Sequence, residues 1–152
     1  MSEHVLNELV ILGVGNDSRG DDGLGWAFLD ALEEDPEIPA RLIHRYQLQP
    51  EDAAEIAGAK WAVFVDASKE KLEKGFQWEE GIPDPQPMVH SHWLPPSAVL
   101  GFCRETQESC PSAFVLAISG YHWGLGEPIS PLARQHLADA LQFFKNWYRS
   151  QR

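Results

Sequence analysis

Two carboxylates and an imidazole in this 152-residue chain have the type and setting for polar chemistry. Asp22 follows a Gly-rich turn, Asp66 closes an apolar run, and His90 or His92 follows a Pro-broken turn. One imidazole and two carboxylates with open positions suit a first-row divalent metal. The same carboxylates could instead move protons. Each residue alone has a plainer explanation. An aspartate near a helix start often caps it, and one at a strand end often forms a turn. Their weight comes from the elements that would position them.

Leu9 to Leu12 is a short apolar run, which predicts a buried strand over about residues 8–14. Gly13 and Gly15 then permit a tight turn. Leu24, Phe28 and Leu32 recur every four residues beside Ala27 and Ala31, which predicts a helix over about 22–34. Asp21 or Asp22 is expected to cap its first turn. Arg41 to Gln47 reads as a second strand with mixed faces, and Pro50 to Ile56 as a short helix. Trp61 to Ala67 is the clearest buried strand. In the charged stretch after it, Phe76-Gln77-Trp78 suggests a short edge strand. Met88 to His92 is expected to be extended. Pro95-Pro96 opens a helix to about Glu105, and Ala113 to Ile118 is a further buried strand. Ser130 as N-cap with Pro131 behind it starts the last helix, whose buried face is Ala133, Leu137, Ala140, Leu141 and Phe144.

This alternation predicts one α/β domain over residues 1–152. It is a three-layer sandwich with a central, mostly parallel, twisted sheet and helices on both faces. Right-handed crossovers would place the ends of the first strand and of the Val63–Val65 strand on one sheet edge, so Asp22 and Asp66 would meet there.

Composition narrows the function. A formal net charge of −11 disfavours nucleic acid and anionic membrane surfaces as partners. No apolar run spans a bilayer, and the N-terminus lacks the pattern of a signal peptide, which together suggest a cytoplasmic protein. Cys103 and Cys110 are expected to be reduced thiols. A dinucleotide fingerprint fails because its third glycine position is Ser18 and Asp17, Asp21 and Asp22 would repel a pyrophosphate. There is no P-loop lysine, HExxH pair or GxSxG elbow. Arg19 falls where a calcium loop needs an oxygen ligand.

Ile11-Leu12-Gly13-Val14-Gly15-Asn16, followed by Gly20-Asp21-Asp22-Gly23-Leu24-Gly25, resembles the [NiFe]-hydrogenase maturation proteases. Val63-Phe64-Val65-Asp66-Ala67, Ser91-His92 and Gly126-Glu127-Pro128-Ile129-Ser130-Pro131 are similar to that family's later motifs, in the same order. The resemblance implies an endopeptidase that trims the C-terminal extension of a [NiFe]-hydrogenase large-subunit precursor after nickel insertion. It implies that Asp22, Asp66 and His92 are both the metal-contacting and the catalytic triad. The nickel would be transient, supplied with the substrate. Many members carry Glu where this chain has Asp22. Between the two histidines, His92 is favoured because a hydroxyl residue precedes it, as in the family. Two other readings are a non-catalytic nickel-checking chaperone or adaptor for the large subunit, and a peptidyl-tRNA hydrolase-like enzyme, which shares the GxGN turn but needs a basic face.

Other residues have structural readings. His44 is expected to be structural or exposed, and the loop of His122 and Trp123 to pack on the core. Trp93 is expected to face substrate, and Cys103 to be a buried thiol.

Overall fold

The computed structural model describes residues 8–89 and 94–151. Its elements are β1 (Leu9–Val14), a short 3-10 helix (Gly20–Gly23), α1 (Leu24–Glu33), β2 (Arg41–Arg45), α2 (Asp52–Ile56), β3 (Trp61–Ser68), β4 (Phe76–Glu80), α3 (Pro96–Thr106), β5 (Ser112–Ser119) and α4 (Pro131–Ser150). The strands form one sheet in the order β2-β1-β3-β5-β4. All neighbours are parallel except β4, which runs antiparallel to β5 at the edge.

Side-chain alternation along the central strands sorts the core into two layers. Leu9, Ile11, Val63, Val65, Leu116 and Ile118 face α1 and α4, meeting Phe28, Leu29, Leu137 and Phe144. Val10, Leu12, Ala62, Phe64 and Ala113 face the other way, onto Ile56 from α2 and Ala98, Val99 and Cys103 from α3. Central strands covered on both faces read as continuous apolar runs, which is why β1 and β3 stand out in the sequence. The three-layer α/β sandwich is therefore as expected.

Boundaries differ from the sequence reading in three places. The expected helix over 22–34 opens as a 3-10 turn, with the Asp22 amide donating to the Arg19 carbonyl at 3.1 Å, before α1 begins at Leu24. The second strand stops at Arg45, because the chain then leaves the sheet to wall a cavity with Tyr46, Gln47 and Leu48. Finally, β4 is longer than its aromatic core suggests. Phe76 and Trp78 face inward while Gln77, Glu79 and Glu80 face solvent at an open edge, a charged edge that resists further strand pairing. Among the described residues, no helix is long and apolar enough to cross a membrane.

Candidate active site

Strand order creates the site. From β1 the chain goes to β2 on one side, then crosses to β3 on the other, so the gap above the β1–β3 seam is a topological switch point. The register shows how Asp66 enters it. Pairing between β1 and β3 ends at Gly13 with Val65, whereas pairing between β3 and β5 continues through Ser68 with Ser119. Asp66 is the first residue of β3 past its β1 neighbour. It lies within the strand, two residues before its end at Ser68, and opens toward the gap.

Asp22 is brought to the same gap by the turn after β1. Gly15 has φ +143, and an added Cβ there would run into the Asp22 carbonyl. The Asn16 amide donates to that carbonyl at 3.1 Å, while the Asn16 side chain accepts from the Ser18 amide at 2.9 Å and so closes the turn. Gly25 then lets α1 start against the sheet. A Cβ there would stand 2.7 Å from the carbonyl oxygens of both Val14 and Val65. This close approach is what seats the 3-10 turn over the ends of β1 and β3.

Asp22 and Asp66 line one cavity of about 240 Å³, with an otherwise largely apolar wall that includes Val14, Leu48, Phe64 and Leu94. They also line a second cavity of about 340 Å³ with Arg19, Lys69 and Trp123. Asp66 keeps an exposed face, but protein atoms crowd its other sides. That desolvation, with the Asp22 charge adding to it, pushes its carboxyl up to about 7 against the pull of the Ala67 amide. Desolvation also raises Asp22, against the Asn16 amide and the charges of Arg19 and Lys69. Two acids that share a gap and resist ionisation form a setting that a cation would relieve.

The third residue expected in the triad, His92, lies outside the described residues, as do His90 and Trp93. Among the described residues, no group of three His, Cys, Asp or Glu side chains is placed to hold a metal ion. Among the described residues the donor set is therefore the acid pair, which fits a divalent cation as part of a larger shell.

Asp21 departs from expectation. Neither it nor Asp22 makes a side-chain cap on the adjoining helix. Asp21 is fully buried and reaches across the fold. Its Oδ2 accepts from the amides of Tyr121 at 2.6 Å and His122 at 3.0 Å and from the Ser130 hydroxyl at 2.7 Å. Its Oδ1 accepts from the Ser130 amide at 2.7 Å. Burial pushes this carboxyl up, but the amides of His122, Ser130 and Tyr121 and the Ser130 hydroxyl together bring it below its usual value. Asp21 thus fixes the loop that carries Trp123, and it ties that loop to Ser130, the N-cap of α4. On the opposite wall, buried Asp52 holds the segment through Leu48 by accepting from Arg45 at 3.0 Å and from the Gln49 amide at 2.8 Å.

His44 is structural, with Nε2 3.1 Å from Asp30 and its ring edge-on to Trp26. His122 is exposed, and its neighbour Trp123 is the loop residue that lines the site. Cys103 is buried and Cys110 exposed, both as free thiols.

No family model matches the sequence. No curated protein matches it either. Solved structures do. The [NiFe] hydrogenase maturation protease HycI from Thermococcus kodakarensis is 28% identical, with a TM-score of 0.68 over 91% of this chain and 90% of that one. The hydrogenase maturating endopeptidase HybD from E. coli shares the fold with a TM-score of 0.75 at 18% identity, over 95% of this chain and 93% of that one. The endopeptidase HycI from Escherichia coli aligns over 92% of this chain and 90% of that one, with a TM-score of 0.66 and 20% identity. Over nine-tenths of its length the chain thus has the fold of the hydrogenase maturation endopeptidases, and at 28% identity it is similar in sequence to a [NiFe] hydrogenase maturation protease.

Proposed function

We propose that this protein is a cytoplasmic endopeptidase that removes the C-terminal extension of a [NiFe]-hydrogenase large-subunit precursor after nickel insertion. The observation that carries the reading is the acid pair, Asp22 and Asp66, at the switch point of a fold shared with hydrogenase maturation endopeptidases. Nickel is part of the substrate here. Held by the precursor, it meets Asp22, Asp66 and His92, and its positive charge favours the ionised form of both carboxylates. A precursor without metal leaves the acids facing each other and docks poorly. Metal insertion is thereby read as docking, and docking sets the scissile peptide in the cleft. Asp66, with its carboxyl near 7, is suited to exchanging a proton with water at neutral pH.

The test is to incubate the purified protein with nickel-loaded and nickel-free precursor and to weigh the products by mass spectrometry. Loss of a C-terminal peptide from the loaded form alone supports the proposal. A stable, uncut complex makes the protein a nickel-checking chaperone, and equal cleavage of both forms removes nickel from recognition.

A further inference from the structure

The chain has 12 Lys and Arg against 23 Asp and Glu, so its cations are scarce. Arg41, Arg45, Lys60, Lys145 and Arg149 each have a carboxylate within ion-pair distance. Arg19 and Lys69, which stand at the site, make no ion pair among the described residues. Both are exposed, and both line the 340 Å³ cavity beside Asp22 and Asp66. A cation serving only to neutralise Asp22 would sit on its carboxylate. These two act on it from across the cavity.

Their mounting is firm. Arg19 precedes the 3-10 turn, and its loop is laced to the Trp123 loop by Asp21 N–H donating to the His122 carbonyl at 2.7 Å and Gly126 N–H donating to the Ser18 carbonyl at 2.7 Å. Lys69 directly follows β3 and holds its Nζ 5.5 Å from the Trp123 ring centroid. A partly buried indole beneath a lysine limits where the ammonium can go. The result is two cations carried on anchored backbone in the cavity that Asp22, Asp66 and Trp123 also line.

We propose that Arg19 and Lys69, backed by Trp123, form a subsite for a carboxylate of the peptide substrate, next to the acid pair. The inference rests on the peptidase reading of the site. A protein of net charge −11 repels acidic segments in general, so a local cationic pair would select where such a segment can land. The carboxylate could belong to an acidic side chain or to a chain terminus. Both present the planar oxygens that a guanidinium and an ammonium recognise.

Three short peptides distinguish the sources: a fully capped tripeptide with a central aspartate, trialanine with a free C-terminal carboxylate, and fully capped trialanine. Each is titrated into the full chain, and the Trp123 indole N–H and Lys69 amide are followed by NMR. The expected result is that a charged peptide shifts both signals, that the neutral one does not, and that R19Q or K69Q weakens the effect roughly fivefold. Whichever charged peptide acts identifies the source. Equal shifts from the neutral peptide, no shift from either charged one, or unchanged binding by both variants overturns the subsite. Because binding is read without cleavage, the subsite can stand if the precursor proves uncut, and cleavage can stand if the subsite fails.

Discussion

Replacing Asp21 by Asn tests whether one buried carboxylate holds the two halves of the cleft together. The native carboxylate accepts four hydrogen bonds, three on Oδ2 and one on Oδ1. The best placement of an asparagine puts its carbonyl at Oδ2 and keeps three. Its NH2 group then faces the Ser130 amide at the position of a 2.7 Å bond, donor against donor. The loss of one charge-assisted bond costs about 1.5–3 kcal/mol, and the stranded donors add about 1–3 kcal/mol. Together these come to about 2.5–6 kcal/mol, a large share of a typical folding stability of about 5–15 kcal/mol. For a domain of this size, at about 3 °C per kcal/mol, it corresponds to a fall of roughly 8–18 °C in melting temperature. Urea and thermal denaturation followed by circular dichroism measure it. The pH dependence adds a sign. The folded-state pKa of Asp21 lies below its unfolded value, so its stabilisation is present above about pH 4 and is lost as the pH falls through the folded-state value. The gap between parent and variant should therefore be full at pH 7 and narrow in acid. A gap under about 1 kcal/mol at pH 7, or one that stays constant into acid, would refute the anchoring role.

Asp66→Asn should abolish processing yet stabilise the fold at pH 8. The folded state holds the Asp66 proton up to about pH 7 while the unfolded state releases it lower, so native stability declines across that interval, and the variant should gain about 1 kcal/mol after allowance for solvent screening. Asp22→Asn should lower the Asp66 midpoint, measured by carboxyl NMR, without bringing it to the ordinary value, because burial is the larger cause. His92→Ala should stop processing while His90→Ala leaves most of it, as scored by the mobility shift of nickel-loaded precursor. Nickel added to the protein alone should bind weakly and release protons near pH 6.5, read by calorimetry in two buffers of different ionisation enthalpy.

The sequence disclosed most where a single segment carries its own pattern. β1, β3 and β5 are apolar runs, and α4 announces itself through Ser130 and Pro131. Asp22 and Asp66 were legible because each stands beside such a strand and the crossover rule puts those strand ends on one edge. The role of Asp21 is not legible locally, because its partners lie about a hundred residues away, at Tyr121, His122 and Ser130, where no local pattern points. Local reasoning offered only a helix cap. In the sequence Arg19 shows only as a misfit in a calcium loop, and Lys69 lies in a charged stretch without periodicity. Their shared cavity exists only once β3 and the Trp123 loop are side by side.

The span from Asp21 to Ser130 also bears on how the chain is made. During synthesis from the N-terminus, both acids of the pair leave the ribosome long before the Tyr121–Ser130 segment that satisfies Asp21. Until then, burying Asp21 would strand a charge without donors, so the 3-10 turn that aims Asp22 gains nothing by settling. Closing a loop of that length carries its entropy cost early and its reward late. A nascent chain is thus kept from displaying a finished cleft, and a protein truncated before α4 should be inert as well as unstable.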